Sequence, residues 1–438
     1  MAELTERERV GATPAGIGGI AAAPPKRRFA ALDVPTFRWY WILGWISQTG
    51  DGMENVLRGY LVVKLVGLAA APFWLGMMVF AHWVPFTLFS LYGGTLADRY
   101  DTRKVQIVSQ VLLFAAAVGV ATTTLTGVVT VWWIFGLLLV HGLGGAIGNP
   151  ARQTLIHRIV GKEKLLSAVS LSSTTQQFSQ VIGPAIAGFI YLAFGAGVGF
   201  LVNSLTFIPL LGFLAVIRLA PMERRERQPV IAAVREGLDF VRARPLLGSL
   251  IAIETTTVIF IGHTFSALLV VFATERFPSL PLAYPFLLVA TGIGAILGAV
   301  YLAYAPEARR KGLFVTAAAV LNMAAILVLM FAGQYAIAFA VMVVAGLAAV
   351  LMQSVTNTTL QLSAPDRIRG RVMGAYSFGS QGMRVVNGPL LGGLATMLGV
   401  PLAVGGSAAF VLLLLGAFAL AIPQLRSSEA PATARTAP

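Results

Sequence analysis

Five ionisable residues stand inside long apolar runs of this 438-residue chain: Asp51, Glu54 and Arg58 in one run, Glu254 and Arg384 in two others. Steps of three and four place Asp51, Glu54 and Arg58 on one face of a helix. A carboxylate withdrawn from water beside a guanidinium can take up and release a proton as its surroundings change. Charges in such runs are costly and therefore mark functional sites, a buried structural pair such as Glu54–Arg58 being the plain alternative. His82, His141 and His263 also fall in apolar runs, where each could relay protons or simply hydrogen-bond a neighbouring helix. No nucleophile–base pair, no Walker-type loop and no cysteine is present, and the four histidines lack metal-ligand spacing. Neither a metal nor another cofactor is expected.

The elements that must carry these residues follow from composition. At 57% hydrophobic, 11% charged and a mean hydropathy of +0.80, the chain is too apolar for an ordinary soluble domain. Unbroken apolar runs, not alternation, select membrane helices over a β-barrel. Twelve spans are expected at about 38–65, 73–96, 105–125, 130–149, 166–194, 198–217, 246–273, 282–304, 312–332, 335–356, 372–397 and 400–422. Asp51 lies 13 residues past Arg38, about 20 Å along span one and near the midplane. Arg384 sits similarly deep in span eleven. Trp39, Trp41 and Trp45 read as interfacial and packing residues.

The net charge of +14 does not mean nucleic-acid binding, because its placement is one-sided. Of 32 lysines and arginines, all but Arg58, Lys64, Arg276 and Arg384 fall in segments expected on the cytoplasmic side. Loops expected outside, at 68–71 and 194–197, are small and uncharged. Residues 1–35 read as a disordered cytoplasmic tail without a signal peptide, and 424–438 as a second tail. Between a first bundle at 36–217 and a second at 246–423, the polar stretch 218–245 repeats Ile231, Val234, Leu238 and Val241 at helical spacing. It is expected to lie as an amphipathic helix along the inner membrane surface.

The two halves are related to each other. Gly183-Pro184 recurs as Gly388-Pro389, an offset of 205 residues that also carries Gly93 onto Gly298. The offset puts Glu254 over Thr49, close to Asp51, so acids from both halves approach one central cavity. Two six-helix bundles related by an axis along the membrane normal are expected.

Between spans two and three runs Gly94-Thr95-Leu96-Ala97-Asp98-Arg99, followed by Arg103-Lys104. This resembles the loop signature of the major facilitator superfamily, with Asp101 and Thr102 departing from the commonest form. Asn149-Pro150-Ala151-Arg152-Gln153, Gly50-Asp51-Gly52-Met53 and the stretch from Pro365 to Met373 are similar to the enterobactin-exporter-like branch of bacterial efflux proteins. The resemblance covers most of 38–423. It implies an all-α, twelve-helix transporter of the bacterial inner membrane with both termini cytoplasmic. Transport would be by alternating access, exchanging protons for a siderophore- or drug-like amphipathic molecule, and the protein would be a monomer among membrane lipids. It implies that Asp98 caps the start of span eleven near Gly370 and Arg371, and that Gly183-Pro184 belongs to an antiporter-like motif. Gly94, Asp98, Arg99, Arg103, Lys104, Gly183, Pro184, Gly388 and Pro389 would then control gating. Asp51, Glu54, Arg58, Glu254 and Arg384 would line the proton and substrate cavity. A lipid flippase of the same fold is the nearest competitor; a membrane-embedded lipid enzyme or a non-transporting receptor belongs to another class.

Overall fold

The computed structural model describes residues 29–219, 230–304, 310–365 and 368–425, with the side chains of 90–99, 230–235 and 424 outside that description. All regular structure among these residues is helical. In chain order the helices are α1 (Pro35–Arg99), α2 (Thr102–Leu125), α3 (Val131–Val216), α4 (Val230–Arg242), α5 (Pro245–Phe260), α6 (Gly262–Arg276), α7 (Ala283–Tyr304), α8 (Lys311–Phe331), α9 (Tyr335–Ser363), α10 (Arg369–Ser377), α11 (Arg384–Leu398) and α12 (Val400–Ala421). Eight stretches among the described residues are long and apolar enough to cross a membrane, and this is a multi-pass membrane protein.

Two of these stretches are too long for a single crossing, since a bilayer core takes about 20 helical residues. α1 has 65 residues and α3 has 86. Each is broken where a glycine takes a left-handed backbone: Gly67 in α1 (φ 74°), Gly161 and Gly195 in α3 (φ 70° and 80°). Lacking a Cβ, glycine enters this region without strain, so the chain changes direction within one residue. The loops expected at 68–71 and 194–197 are accordingly helix on both sides of a single glycine. Span four, expected to stop at residue 149, runs through Pro150 as far as the Gly161 break. Proline removes only one backbone donor, and neighbouring helices tolerate that in a membrane.

One end of the bundle gathers Arg103, Lys104, Arg158, Lys162, Lys164, Arg310, Lys311, Arg369 and Arg371; the other holds the turns at Gly67, Gly127, Gly195 and Gly399. We call these the basic and neutral ends. Within the N-terminal half α1 and α2 pack on α3; within the C-terminal half α9 packs on α7 and α8, and α8 on α12. The halves meet where α1 touches α6 and α11, and where α3 touches α7. Glycines bring backbones together at two of the closest approaches. A Cβ on Gly183 would lie 2.8 Å from Gly52 Cα, and one on Gly76 would lie 2.3 Å from Gly388 O. The repeated Gly-Pro motif thus serves packing inside the N-terminal half, and packing between halves in its second copy.

Two boundaries differ from the sequence expectation. Residues 30–33, placed in the tail, form a short 3-10 helix in which Ala31 is fully buried and its N–H donates to Ser167 Oγ at 3.2 Å. The small apolar Ala31 fits against Phe37, Leu155 and Ala168, and that burial fixes the segment. The linker helix α4 does not simply lie on a membrane surface. Val241 is buried with Leu247, Leu360, Val372 and Tyr376, Gly237 abuts Arg371, and Glu236 pairs with Arg371. The tails 1–28 and 426–438 lie outside the described residues.

Candidate transport site

The first segment of α1 delivers the acids, and α3 closes around them. Glu54 is buried, and its two oxygens are used differently. Oε1 meets Arg58 Nη2 at 3.3 Å, one helical turn on. Oε2 accepts from Asn203 Nδ2 at 3.1 Å and lies 3.6 Å from His141 Nδ1. Asp51 stands beside them, half-buried, with ligand atoms of Asp51, Glu54 and His141 all within 4.8 Å of one another. Asp51 Oδ1, His141 Nδ1 and Asn203 Oδ1 have no hydrogen-bond partner. The cluster therefore holds an excess of buried acceptors, which is the arrangement that favours an added cation.

From this cluster a row of rings leads into the other half. The His141 and His82 ring centroids are 5.2 Å apart, and His82 lies 5.2 Å from Trp83. Trp83 belongs to the second segment of α1 but is gripped from the C-terminal half. The guanidinium of Arg384 sits over its ring at 4.5 Å, and His263 lies 5.8 Å from it. A cation over an indole face is held by the ring quadrupole. Arg384 also donates through Nε to Ser380 O at 3.2 Å. The three histidines thus join one row through Trp83, a link that spacing in the sequence could not show.

Glu254 lies off the rings but within electrostatic reach of Arg384 at the end of the row. It is buried in α5 and accepts from the Tyr376 hydroxyl at 2.9 Å, with Gln353 also beside its carboxyl group. Seven residues on, the helix breaks between α5 and α6 at Ile261 and Gly262 (φ 38°). Asn387 of α11 spans the break: Oδ1 accepts from Thr264 N at 2.9 Å, and Nδ2 donates to Ile259 O at 3.1 Å. One amide thereby satisfies two backbone groups that the break would leave bare. Beside it, the Phe378–Gly382 turn between α10 and α11 is a π-helical widening.

At the neutral end Tyr60 stacks on Tyr191 at 4.2 Å and donates to Pro281 O of the other half at 2.8 Å. Tyr284 crosses Tyr60 edge-on at 5.4 Å. A cleft of about 280 Å³ opens beside them, lined also by Lys64, Phe277 and Pro278. At the basic end the side chains of Asp98 and Arg99, and the surroundings of Gly94, lie outside the described residues. Asp101 is the N-cap of α2, accepting from Arg103 N at 3.0 Å, and pairs with Arg158 at 3.2 Å. Arg103 reaches back to Leu214 O at 2.6 Å and to Ala215 O, closing the last turn of α3. Lys104 is exposed. Of the residues that matter here, the sequence reading missed Trp83, Asn203, Tyr376 and Asn387. The two asparagines carried a usable signal: lone amides in apolar runs, where they hydrogen-bond across helices.

A family model described as transmembrane secretion effector matches residues 26–437. The chain belongs to this family of the major facilitator superfamily. The superfamily's members are transporters, not enzymes, which removes the lipid-enzyme alternative. Among curated relatives, the enterobactin exporter EntS of Shigella flexneri is 24% identical over 391 residues, covering 89% of this chain and 92% of the relative. EntS of Escherichia coli O139:H28 is 23% identical over the same length. Among solved structures, the nucleoside transporter NupG aligns with a TM-score of 0.68 at 12% identity, over 88% of this chain and 98% of its own. A D-xylose–proton symporter aligns at 0.67 and 15% identity, over 92% of this chain and all of its own. Identities this low speak for the major facilitator fold alone.

Proposed function

We propose that this major facilitator protein is a proton-coupled exporter of an amphipathic small molecule, siderophore- or drug-like, in a bacterial inner membrane. Twelve crossings in bundles at 36–217 and 246–423 would then place the basic end and both termini in the cytoplasm. The acceptor-rich cluster at Asp51 and Glu54 carries the reading. A coupling acid must hold a proton in one access state and lose it in the other, so it needs partial burial and a neighbouring cation whose distance changes. Asp51 is half-buried with a free oxygen, whereas Glu54 is held by Arg58, Asn203 and the neighbourhood of His141. Arg384 belongs to the other half and joins the cluster only through Trp83 and the histidines, so rocking of the halves would move it. Asp51 is the coupling acid in this reading, Glu54 its structural neighbour, and Arg384 the counter-charge. Similarity to enterobactin exporters and the tyrosine-lined cleft beside Lys64 favour an amphipathic substrate.

The test is transport in proteoliposomes. Asp51→Asn is expected to abolish substrate-driven proton flux while retaining exchange of internal for external substrate. Accumulation by Asp51→Asn in proportion to ΔpH would move the coupling acid elsewhere. Orientation is checked on whole cells, where a cysteine at Ser279 should react with an impermeant maleimide and one at Gln228 only after permeabilisation.

A further inference from the structure

We propose that Asp51, Glu54 and His141 form a binding site for a divalent transition-metal cation, with Asn203 holding Glu54 Oε2 in place through its Nδ2. The sequence argued against any metal site because its histidines are scattered; the fold brings His141 beside two acids some 90 residues away. The separation of Glu54 Oε2 from His141 Nδ1 is 3.6 Å, too long for a hydrogen bond. Two ligand atoms on one tetrahedral ion, with bonds of about 2.0–2.2 Å, stand roughly 3.3–3.6 Å apart. The pair is therefore spaced as ligands are.

The third ligand is within reach, since all three atoms lie within 4.8 Å and Asp51 Oδ1 has no other partner. Asn203 supplies an independent sign. Its side chain is wholly buried, its amide reaches the cluster through Nδ2, and its Oδ1 has nothing to accept from. Arg58 does not compete for the ion, because it holds Oε1 and leaves Oε2 toward His141. A ligating carboxylate fixed by an outer hydrogen bond is the usual support of a metal site. Arg58 and Arg152 both bear on the two carboxylates, so the cluster is close to charge-balanced, and the spacing of its ligand atoms is what suits an ion. Carboxylate and imidazole together suit Zn²⁺, Co²⁺, Mn²⁺ or Fe²⁺; with no thiolate they do not select Cu⁺, and the imidazole disfavours Mg²⁺ and Ca²⁺. The site goes beyond the transport reading and does not depend on it.

Full-length protein with its affinity tag removed is titrated in detergent with Co²⁺, whose visible bands report its ligands. The chain has no cysteine, so no thiolate contributes. One Co²⁺ per chain is expected, with at least tenfold weaker binding in Asp51→Asn and in His141→Gln and unchanged binding in His157→Gln. X-ray absorption of the Co²⁺-loaded wild type should show an oxygen and nitrogen shell with at least one imidazole, and it decides the matter if a variant fails to fold. Absence of stoichiometric binding, a shell without imidazole, or equal affinity in Asp51→Asn and His141→Gln would each overturn the site. Proton coupling is read separately, so loss of one reading leaves the other measurable.

Discussion

Where the N-terminal half has Glu54, His141 and Asn203, the 205-residue offset puts Ile259, Gly346 and Ala408 in the C-terminal half. The reverse also holds: Tyr376, Asn387 and Gly262 correspond to Leu171, Ile182 and Leu57. Each half uses its few buried polar groups for a different purpose. The first crossing stays helical past Leu57, fully buried, and gathers an acid cluster against α3. The seventh breaks at Gly262, and its amide partner mends the break instead of binding anything. A shared backbone plan thus supports a charged site in one half and a hinge-like interruption in the other.

Removing the mend should have the largest effect. Asn387→Ala strips the partners of Thr264 N–H and Ile259 C=O, at roughly 1–3 kcal/mol for each unpaired group. Thermal unfolding in detergent is expected to show a clear loss, and an unchanged midpoint would mean that water or a shifted backbone caps the break. Leu57→Ala comes next at about 2 kcal/mol, the low end for a buried leucine, because lipid provides no hydrophobic drive and only the cavity remains. Gly262→Ala should cost at least about 1 kcal/mol for its left-handed backbone, and its Cβ would also lie 2.8 Å from Asn387 Oδ1; an unchanged unfolding midpoint would mean that the break and its amide shift freely. The smallest effect is expected of Glu254→Gln, which should keep ΔpH-driven accumulation in proteoliposomes. If it uncouples transport as Asp51→Asn should, the contrast between the halves fails for coupling.

The membrane-spanning, all-helical character was legible because apolar length is a one-dimensional signal, and the Gly-Pro repeat because it recurs at a fixed offset. Asp51, Glu54 and Arg58 were legible for the same reason, since helical spacing alone puts them on one face. His141 and Asn203 join them from 87 and 149 residues beyond Glu54, and only packing of α3 on α1 decides that. Trp83 was hidden differently. An indole in an apolar run looks like core until Arg384 is seen over its face. The single-glycine turns escaped because an 86-residue helix with two breaks reads, by hydropathy, as spans separated by loops.

Those turns bear on how the protein is made. Gly67, Gly195 and Gly399 each join two apolar helical segments with no polar stretch between them. In the proposed orientation, almost nothing hydrophilic at these joints has to be carried through the bilayer during synthesis. Neighbouring helices can enter as ready-made hairpins, each pair already held at its tip. Once assembled, the same tips offer little to an antibody, a protease or a phage approaching from outside.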